Sequence, residues 1–310
     1  FRSIQADIKS GNFKQVYLLY GEEAYLKQQY KQNLVKALNP DGDTMNFNHY
    51  EGKGIDVKQL IDLCETMPFF AERRVVLLED TGFFKNKCEE LADYMKELPD
   101  YLYLVFAETE VDKRNRMYKA VKACGSIAEF IRQDEKTLMR WAAGILGKAG
   151  KKITQRDMEL LLTKTGTDMG NLRMEMEKLI SYTEGRDVVT AEDIEEICTT
   201  QTTNRIFDMV RAVTEKNQKR ALELYYDLLT LKEPPMRILF LLAKQYRQLL
   251  LAKQFAAAGL AQTEIGSKLG VPGFVVKNIT TCARAYTISE LEQAVKDFVD
   301  AEESVKTGRL

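Results

Sequence analysis

Apolar residues in the first 130 positions come as short unbroken runs set between longer periodic stretches. Val16-Tyr17-Leu18-Leu19-Tyr20 ends at Gly21, and Val75-Val76-Leu77-Leu78 and Tyr101-Leu102-Tyr103-Leu104-Val105-Phe106 have the same form. Such β-branched and aromatic runs predict strands buried on both faces, as in a parallel sheet. Two further strands are predicted over residues 45–50 and 127–131. The intervening stretches have helical spacing: Tyr25, Leu26, Tyr30, Leu34, Val35 and Leu38 in one, and Ile55, Leu60, Ile61, Leu63 and Cys64 in the next. A helix over 88–98 and a short basic helix over 113–124 complete the alternation. Strands alternating with helices predict βαβ units and a parallel sheet with helices on both faces.

Beyond Arg132 only the helical period remains. Leu138, Trp141, Ala142, Ile145 and Leu146 form one stripe, Met158, Leu161 and Leu162 a second, and Leu172, Met176, Leu179 and Ile180 a third. Thr190-Ala191-Glu192-Asp193 opens a fourth helix, with a capping threonine and acids in the first turn. A polar break is expected at 200–203, followed by helices over 206–214, 218–231, 235–256, 263–269, 272–282 and 288–305. Pro234-Pro235 suits the first turn of the long helix. The expected organisation is an α/β domain over residues 1–132 followed by two all-α domains, 133–200 and 201–310.

The stretch Met67-Pro68-Phe69-Phe70 departs from this pattern. Pro68 disfavours helical geometry at Met67, so the preceding helix ends near Thr66 and the two rings fall in a short connection before the Val75 strand. Connections of this kind run over the surface, where adjacent aromatics mark partner sites. The other reading has the same rings capping the bottom of the hydrophobic core. The residues alone leave both open.

Composition narrows the function classes. The chain has 310 residues, 45% hydrophobic and 29% charged, with 6 prolines and a formal net charge of −1. That length predicts two or three domains, and the near-neutral charge argues against a free-standing nucleic-acid binder. Five scattered cysteines (Cys64, Cys88, Cys124, Cys198, Cys282) without a CxxC pair predict reduced, buried thiols and a cytoplasmic setting. With His49 the only histidine, neither a metal site nor a catalytic triad is supported. No apolar stretch has the length of a membrane span, and no signal peptide opens the chain. The first residue, Phe1, predicts that the natural chain begins earlier.

A glycine ending the first strand invites a phosphate-loop reading, and the residues refuse it. The loop needs GxxxxGK[ST], so that backbone amides wrap the phosphates and a hydroxyl reaches the metal. Gly21-Glu22-Glu23-Ala24-Tyr25-Leu26-Lys27-Gln28 supplies only the first glycine and Lys27. Leu26 and Gln28 stand at the other required positions, and Glu22 and Glu23 would repel phosphate. Glu79-Asp80 sits where a metal-holding acidic pair would, and reads as solvated strand-end acids. The run Ile265-Gly266-Ser267-Lys268-Leu269-Gly270-Val271-Pro272, followed by Phe274, Val275 and Val276, imitates a helix-turn-helix. Its second helix offers only Lys277 and Asn278 for base contacts, so packing is the better account. Arg237, Lys244 and Arg247 lie near one face of the long helix, as a solvated stripe or as contacts to DNA or a neighbouring subunit.

Three stretches together resemble the delta-subunit family of bacterial DNA polymerase III, the clamp-loader component that engages the sliding clamp. They are residues 16–26, the Met67–Asp80 stretch, and a C-terminal set: Phe207-Asp208-Met209-Val210, Ala221-Leu222, Pro235, Arg247-Gln248-Leu249-Leu250, Lys268-Leu269-Gly270-Val271, Phe274-Val275-Val276-Lys277 and Lys306-Thr307-Gly308-Arg309. The resemblance implies a RecA/AAA+-like sheet domain without a working nucleotide site, a helical lid and a helical collar. It implies no cofactor, no catalysis by this subunit, and assembly with delta-prime and tau or gamma subunits around primer-template DNA. The clamp-binding pair falls on Phe69 and Phe70, with Met67 beside them; the family often has leucine at the first position. Arg237, Lys244, Arg247, Lys306 and Arg309 become candidate DNA or subunit contacts. The chain stops just after the last motif, so a further terminal helix is expected. The competing expectations are an active nucleotide hydrolase and a helix-turn-helix regulator.

Overall fold

The computed structural model describes residues 2–199, 202–271 and 273–309. Chain contacts divide it into two units, Phe1–Gln133 and Asp134–Leu310. The first contains α1 (Arg2–Ser10), β1 (Val16–Tyr20), α2 (Ala24–Leu38), β2 (Phe47–Glu51), α3 (Val57–Glu65), β3 (Arg74–Glu79), α4 (Glu89–Tyr94), β4 (Leu102–Glu108), α5 (Arg116–Cys124) and β5 (Ser126–Glu129). All pairings in its sheet are parallel, in the order β2-β3-β4-β1-β5.

The unbroken apolar runs divide by residue parity, because successive side chains on a strand point to opposite faces. Val16, Leu18, Val76, Leu78, Leu104 and Phe106 pack with Leu60, Leu91, Met117 and Val121 of α3, α4 and α5. Tyr17, Leu19, Val75, Leu77 and Val105 pack on the other face with Ile4, Leu34 and Leu38 of α1 and α2. The middles of the central strands therefore need hydrophobic residues at consecutive positions.

Several boundaries differ from the sequence reading. The second strand is displaced to Phe47–Glu51; Asn46, just before it, keeps a backbone bond to β3 while its side chain serves the loop described below. The helix expected over 88–98 stops at Tyr94, and the basic helix starts only at Arg116, capped by the Asn115 side chain. Helix α1 was unexpected, as were the two-residue strands β6 and β7 named below. The thiols are not uniformly buried: Cys88 is half-buried and Cys124 exposed. Burial pushes the Cys64 and Cys198 thiols up to about 12, so both behave as inert apolar groups.

The second unit contains α6 (Glu135–Lys148), β6 (Lys152–Ile153), α7 (Gln155–Thr165), α8 (Met169–Tyr182), β7 (Val188–Val189) and α9 (Ala191–Ile197). Thr190 and Asp193 form the capping box of α9. Then come α10 (Thr202–Thr214), α11 (Gln218–Thr230), α12 (Pro235–Ala257), α13 (Gln262–Leu269), α14 (Gly273–Ala283) and α15 (Ile288–Lys306). One apolar cluster spans Ala142 to Cys198 and two others lie between Ile206 and Leu291. Thr202 and Thr203, expected in a polar break, belong to α10; Thr200, Gln201, Pro272 and the Phe274 side chain lie outside the described residues.

Candidate functional site

The connection between α3 and β3 carries the most exposed aromatic side chain among the described residues. Phe70 is 95% exposed, Met67 73% and Phe69 57%. The two rings meet edge to face, 4.5 Å between centroids, and Phe70 has a φ of 51°. Left-handed backbone at a bulky residue is rare and needs support from its surroundings. The core-capping alternative for these rings does not hold.

That support comes from three buried or half-buried side chains that sequence reasoning did not single out. The Asn46 side chain accepts from the Phe69 N–H (2.6 Å) and donates to the Phe69 carbonyl (2.8 Å). Arg74, only 5% exposed, donates to the Thr66 carbonyl (2.8 Å), the Met67 carbonyl (3.3 Å) and Asn48 Oδ1 (3.1 Å). Thr66 is the C-cap of α3, so the guanidinium satisfies carbonyls at the negative end of a helix dipole. The Arg73 guanidinium lies over the rings of Phe13 (5.2 Å) and Tyr103 (5.4 Å). The loop is thus held at its entry, middle and exit, while its apolar side chains stay in solvent. An Asn one residue ahead of a strand and 23 residues from its partner gives no local signal that could have revealed it.

The would-be nucleotide site lies at the opposite edge of the sheet, about 20 Å away along a six-residue strand. Its polar groups are engaged with one another. Lys27 Nζ donates to the Glu108 carbonyl (2.9 Å) and Thr109 Oγ1 (3.4 Å), and burial lowers the Lys27 pKa against the pull of Asp80, Glu108 and Glu79. Lys31 pairs with Glu79 (2.5 Å), which His49 also meets at 2.9 Å. The Glu108 carboxylate accepts from the N–H and hydroxyl of Thr81 and from the Gly82 N–H; burial raises its pKa. Glu79 and Asp80 are therefore not simple solvated acids: Asp80 accepts from the Thr109 N–H at 2.9 Å.

The loop backbone is committed as well. The Glu23 N–H donates to the Phe130 carbonyl (2.9 Å) and the Phe130 N–H to the Tyr20 carbonyl (2.7 Å), which stitches the turn to the end of β5. Glu22 lies beside Arg132, 3.7 Å away, and Glu23 is buried at the N-cap of α2. Gly21 has a φ of 121°, and a β-carbon there would lie 2.4 Å from the Phe130 carbonyl oxygen. Among the described residues no group of His, Cys, Asp and Glu could hold a metal ion.

The remaining candidates do not converge on one point. Arg237 pairs with Glu233 (3.4 Å) and Lys306 with Glu302 (2.5 Å), each within one helical turn. Lys244 and Arg247 are exposed on α12 without a carboxylate partner among the described residues, and Arg309 is exposed beyond α15. The helix-turn-helix imitation is a packing unit: Ile265, Val276, Ile279 and Cys282 enter one core, and Gly266 approaches Val271 and Val276 closely. No helix among the described residues is long and apolar enough to cross a membrane.

Comparison with known proteins finds matches along most of the chain. Residues 17–130 match the family described as "DNA polymerase III, delta subunit", and residues 203–310 match "DNA polymerase III delta subunit, C-terminal domain". The chain is 26% identical to the Bacillus subtilis DNA polymerase III subunit delta over 315 residues, covering 97% of this chain and 90% of that one. An Aquifex aeolicus protein named "Probable DNA polymerase III subunit delta" is 22% identical over 278 residues, 85% of this chain and 78% of that one. The solved Bacillus subtilis DNA clamp loader delta protein shares the fold, with a TM-score of 0.65 and 24% identity over 98% of this chain and 94% of that one.

Proposed function

The chain belongs to the DNA polymerase III delta-subunit family, and on that premise we propose that it is the clamp-engaging subunit of a sliding-clamp loader. In this reading the α3–β3 loop enters an apolar pocket on the beta sliding clamp, with Phe69 and Phe70 as anchors and Met67 at their side. The observation that carries it is the pair of exposed rings on a loop whose backbone is fixed from within the domain. Aromatic residues presented this way bind without a large ordering cost. The loop favours an open clamp only by as much as it binds that form more tightly than the closed one.

The rest of the proposal follows the family. The sheet domain of residues 1–132 contacts the clamp, residues 133–200 form a lid, and residues 201–310 form a collar that assembles with delta-prime and tau or gamma subunits. ATP hydrolysis belongs to those partners, primer-template DNA is held within the complex, and the setting is the cytoplasm. Arg237, Lys244, Arg247, Lys306 and Arg309 are the candidate contacts to DNA or neighbouring subunits. The subunit is a non-catalytic part of the polymerase III holoenzyme.

Two measurements test this. Immobilised protein captures purified beta clamp from solution, whereas titration with Mg-ATP gives no saturable heat; ATP binding in the micromolar range would revive the hydrolase reading. Lys27→Met keeps clamp capture at the wild-type level and shifts the melting temperature by no more than about 3 °C, because the half-buried ammonium serves only neutral oxygens and screened acids. Loss of clamp capture in that variant would contradict the assignment.

A further inference from the structure

We infer that Asn46, supported by Arg74, is a positioning residue that sets the clamp-binding loop in its bound shape before any partner arrives; this rests on the clamp-engaging reading above. Asn46 is 4% exposed and stands at a junction. Its carbonyl accepts from the Val75 N–H (2.9 Å), tying its backbone to β3, while its side chain reaches sideways to the Phe69 peptide unit. The amide contacts both polar atoms of Phe69, the N–H through Oδ1 and the carbonyl through Nδ2. Two bonds from one planar group fix orientation as well as distance, which a single bond does not. The same Nδ2 donates to the Asp43 carboxylate at 2.5 Å, and that bond is the leading cause of the lowered Asp43 pKa. With two oxygens in front of Nδ2 and an N–H in front of Oδ1, only one amide orientation satisfies the site.

The consequence falls on the next residue. Phe70, 95% exposed, has no core packing to hold it at a φ of 51°. The left-handed turn that lifts its ring against Phe69 is imposed by the peptide on its N-terminal side, which Asn46 grips. Arg74 holds the carbonyls of Thr66 and Met67, so the segment from the end of α3 to Phe69 cannot swing. A binding loop ordered in advance loses less freedom on association, and its apparent affinity is not scaled down by a small competent fraction.

Amide hydrogen exchange on the full chain tests the claim without altering it. The Phe69 amide is expected to exchange far more slowly than those of its exposed neighbours Ala71 and Glu72; equal rates would overturn the inference. Asn46→Ala is expected to speed Phe69 exchange and to weaken clamp binding at least tenfold at a temperature well below its melting point. Asn46→Asp supplies a readout that simple destabilisation would not give. At pH 7.5 its carboxylate faces Asp43 and the Phe69 carbonyl, with the Arg74 guanidinium as the cation acting on this pair, so binding is weak. Toward pH 5 the carboxyl gains a proton to donate, and affinity recovers relative to wild type. Wild-type affinity in Asn46→Ala, or no recovery in Asn46→Asp, would overturn the inference. A wild-type chain that shows a protected Phe69 amide yet fails to bind the clamp would instead refute the functional reading and leave the ordered loop standing.

Discussion

Replacing both rings, Phe69→Ala with Phe70→Ala, is expected to abolish clamp capture while leaving the melting temperature within about 2 °C of wild type. Both halves come from the same feature. Phe70 is 95% exposed and Phe69 57%, so truncation removes little buried surface. Aromatic anchors at an interface centre commonly cost about 2 kcal/mol or more each on truncation to alanine, and two of them weaken binding roughly a thousandfold. Surface plasmon resonance against immobilised clamp gives the first quantity and differential scanning calorimetry the second. A melting temperature lower by about 10 °C would mean that the rings contribute to the core after all.

Gly21→Ala is expected to do the reverse, lowering the melting temperature of the sheet domain by about 10 °C, or roughly 3 kcal/mol. At a φ of 121° an L side chain is strained whatever the space around it. Here there is no space either, since the added carbon would sit 2.4 Å from the Phe130 carbonyl oxygen. Relief requires moving backbone, and the backbone in question carries the hydrogen bonds from Glu23 to Phe130 and from Phe130 to Tyr20. Because the ring-bearing loop is at the far edge of the sheet, the folded fraction of Gly21→Ala at low temperature is expected to bind the clamp with wild-type affinity. Thermal unfolding followed by circular dichroism, with clamp affinity measured at 10 °C, checks both. An unchanged melting temperature would show that the turn can open away from β5 at no cost.

How much of this could be read in advance depended on how locally each feature is encoded. The central strands were plain because burial on both faces leaves no polar position between Val16 and Leu19 or between Val75 and Leu78. The long helices were equally plain, each carrying several apolar positions at a period of 3.6. Helix α1 escaped because Ile4 and Ile8 are its only large apolar residues, too few to establish a period. Two-residue strands such as β6 and β7 carry no period at all. In the loop, Pro68 and the paired phenylalanines marked the candidate site, and the open question of which way the rings face was settled by their exposure. What holds them there was not legible. Asn46 reads locally as a turn residue and Arg74 as a charge before a strand, and each acquires its role only when β2 and β3 lie side by side.

The ion pairs and hydrogen bonds at the carboxyl edge of the sheet form a closed circuit: Lys27, Lys31, Glu79, Asp80 and Glu108 are all answered by groups of the same domain. On the proposed reading, a site whose charged groups answer one another keeps one resting shape, whatever the local supply of triphosphates. On the same reading it would serve in a loader as a permanently cocked hook, and the moment at which it catches the ring would be dictated by whichever neighbour covers or uncovers it.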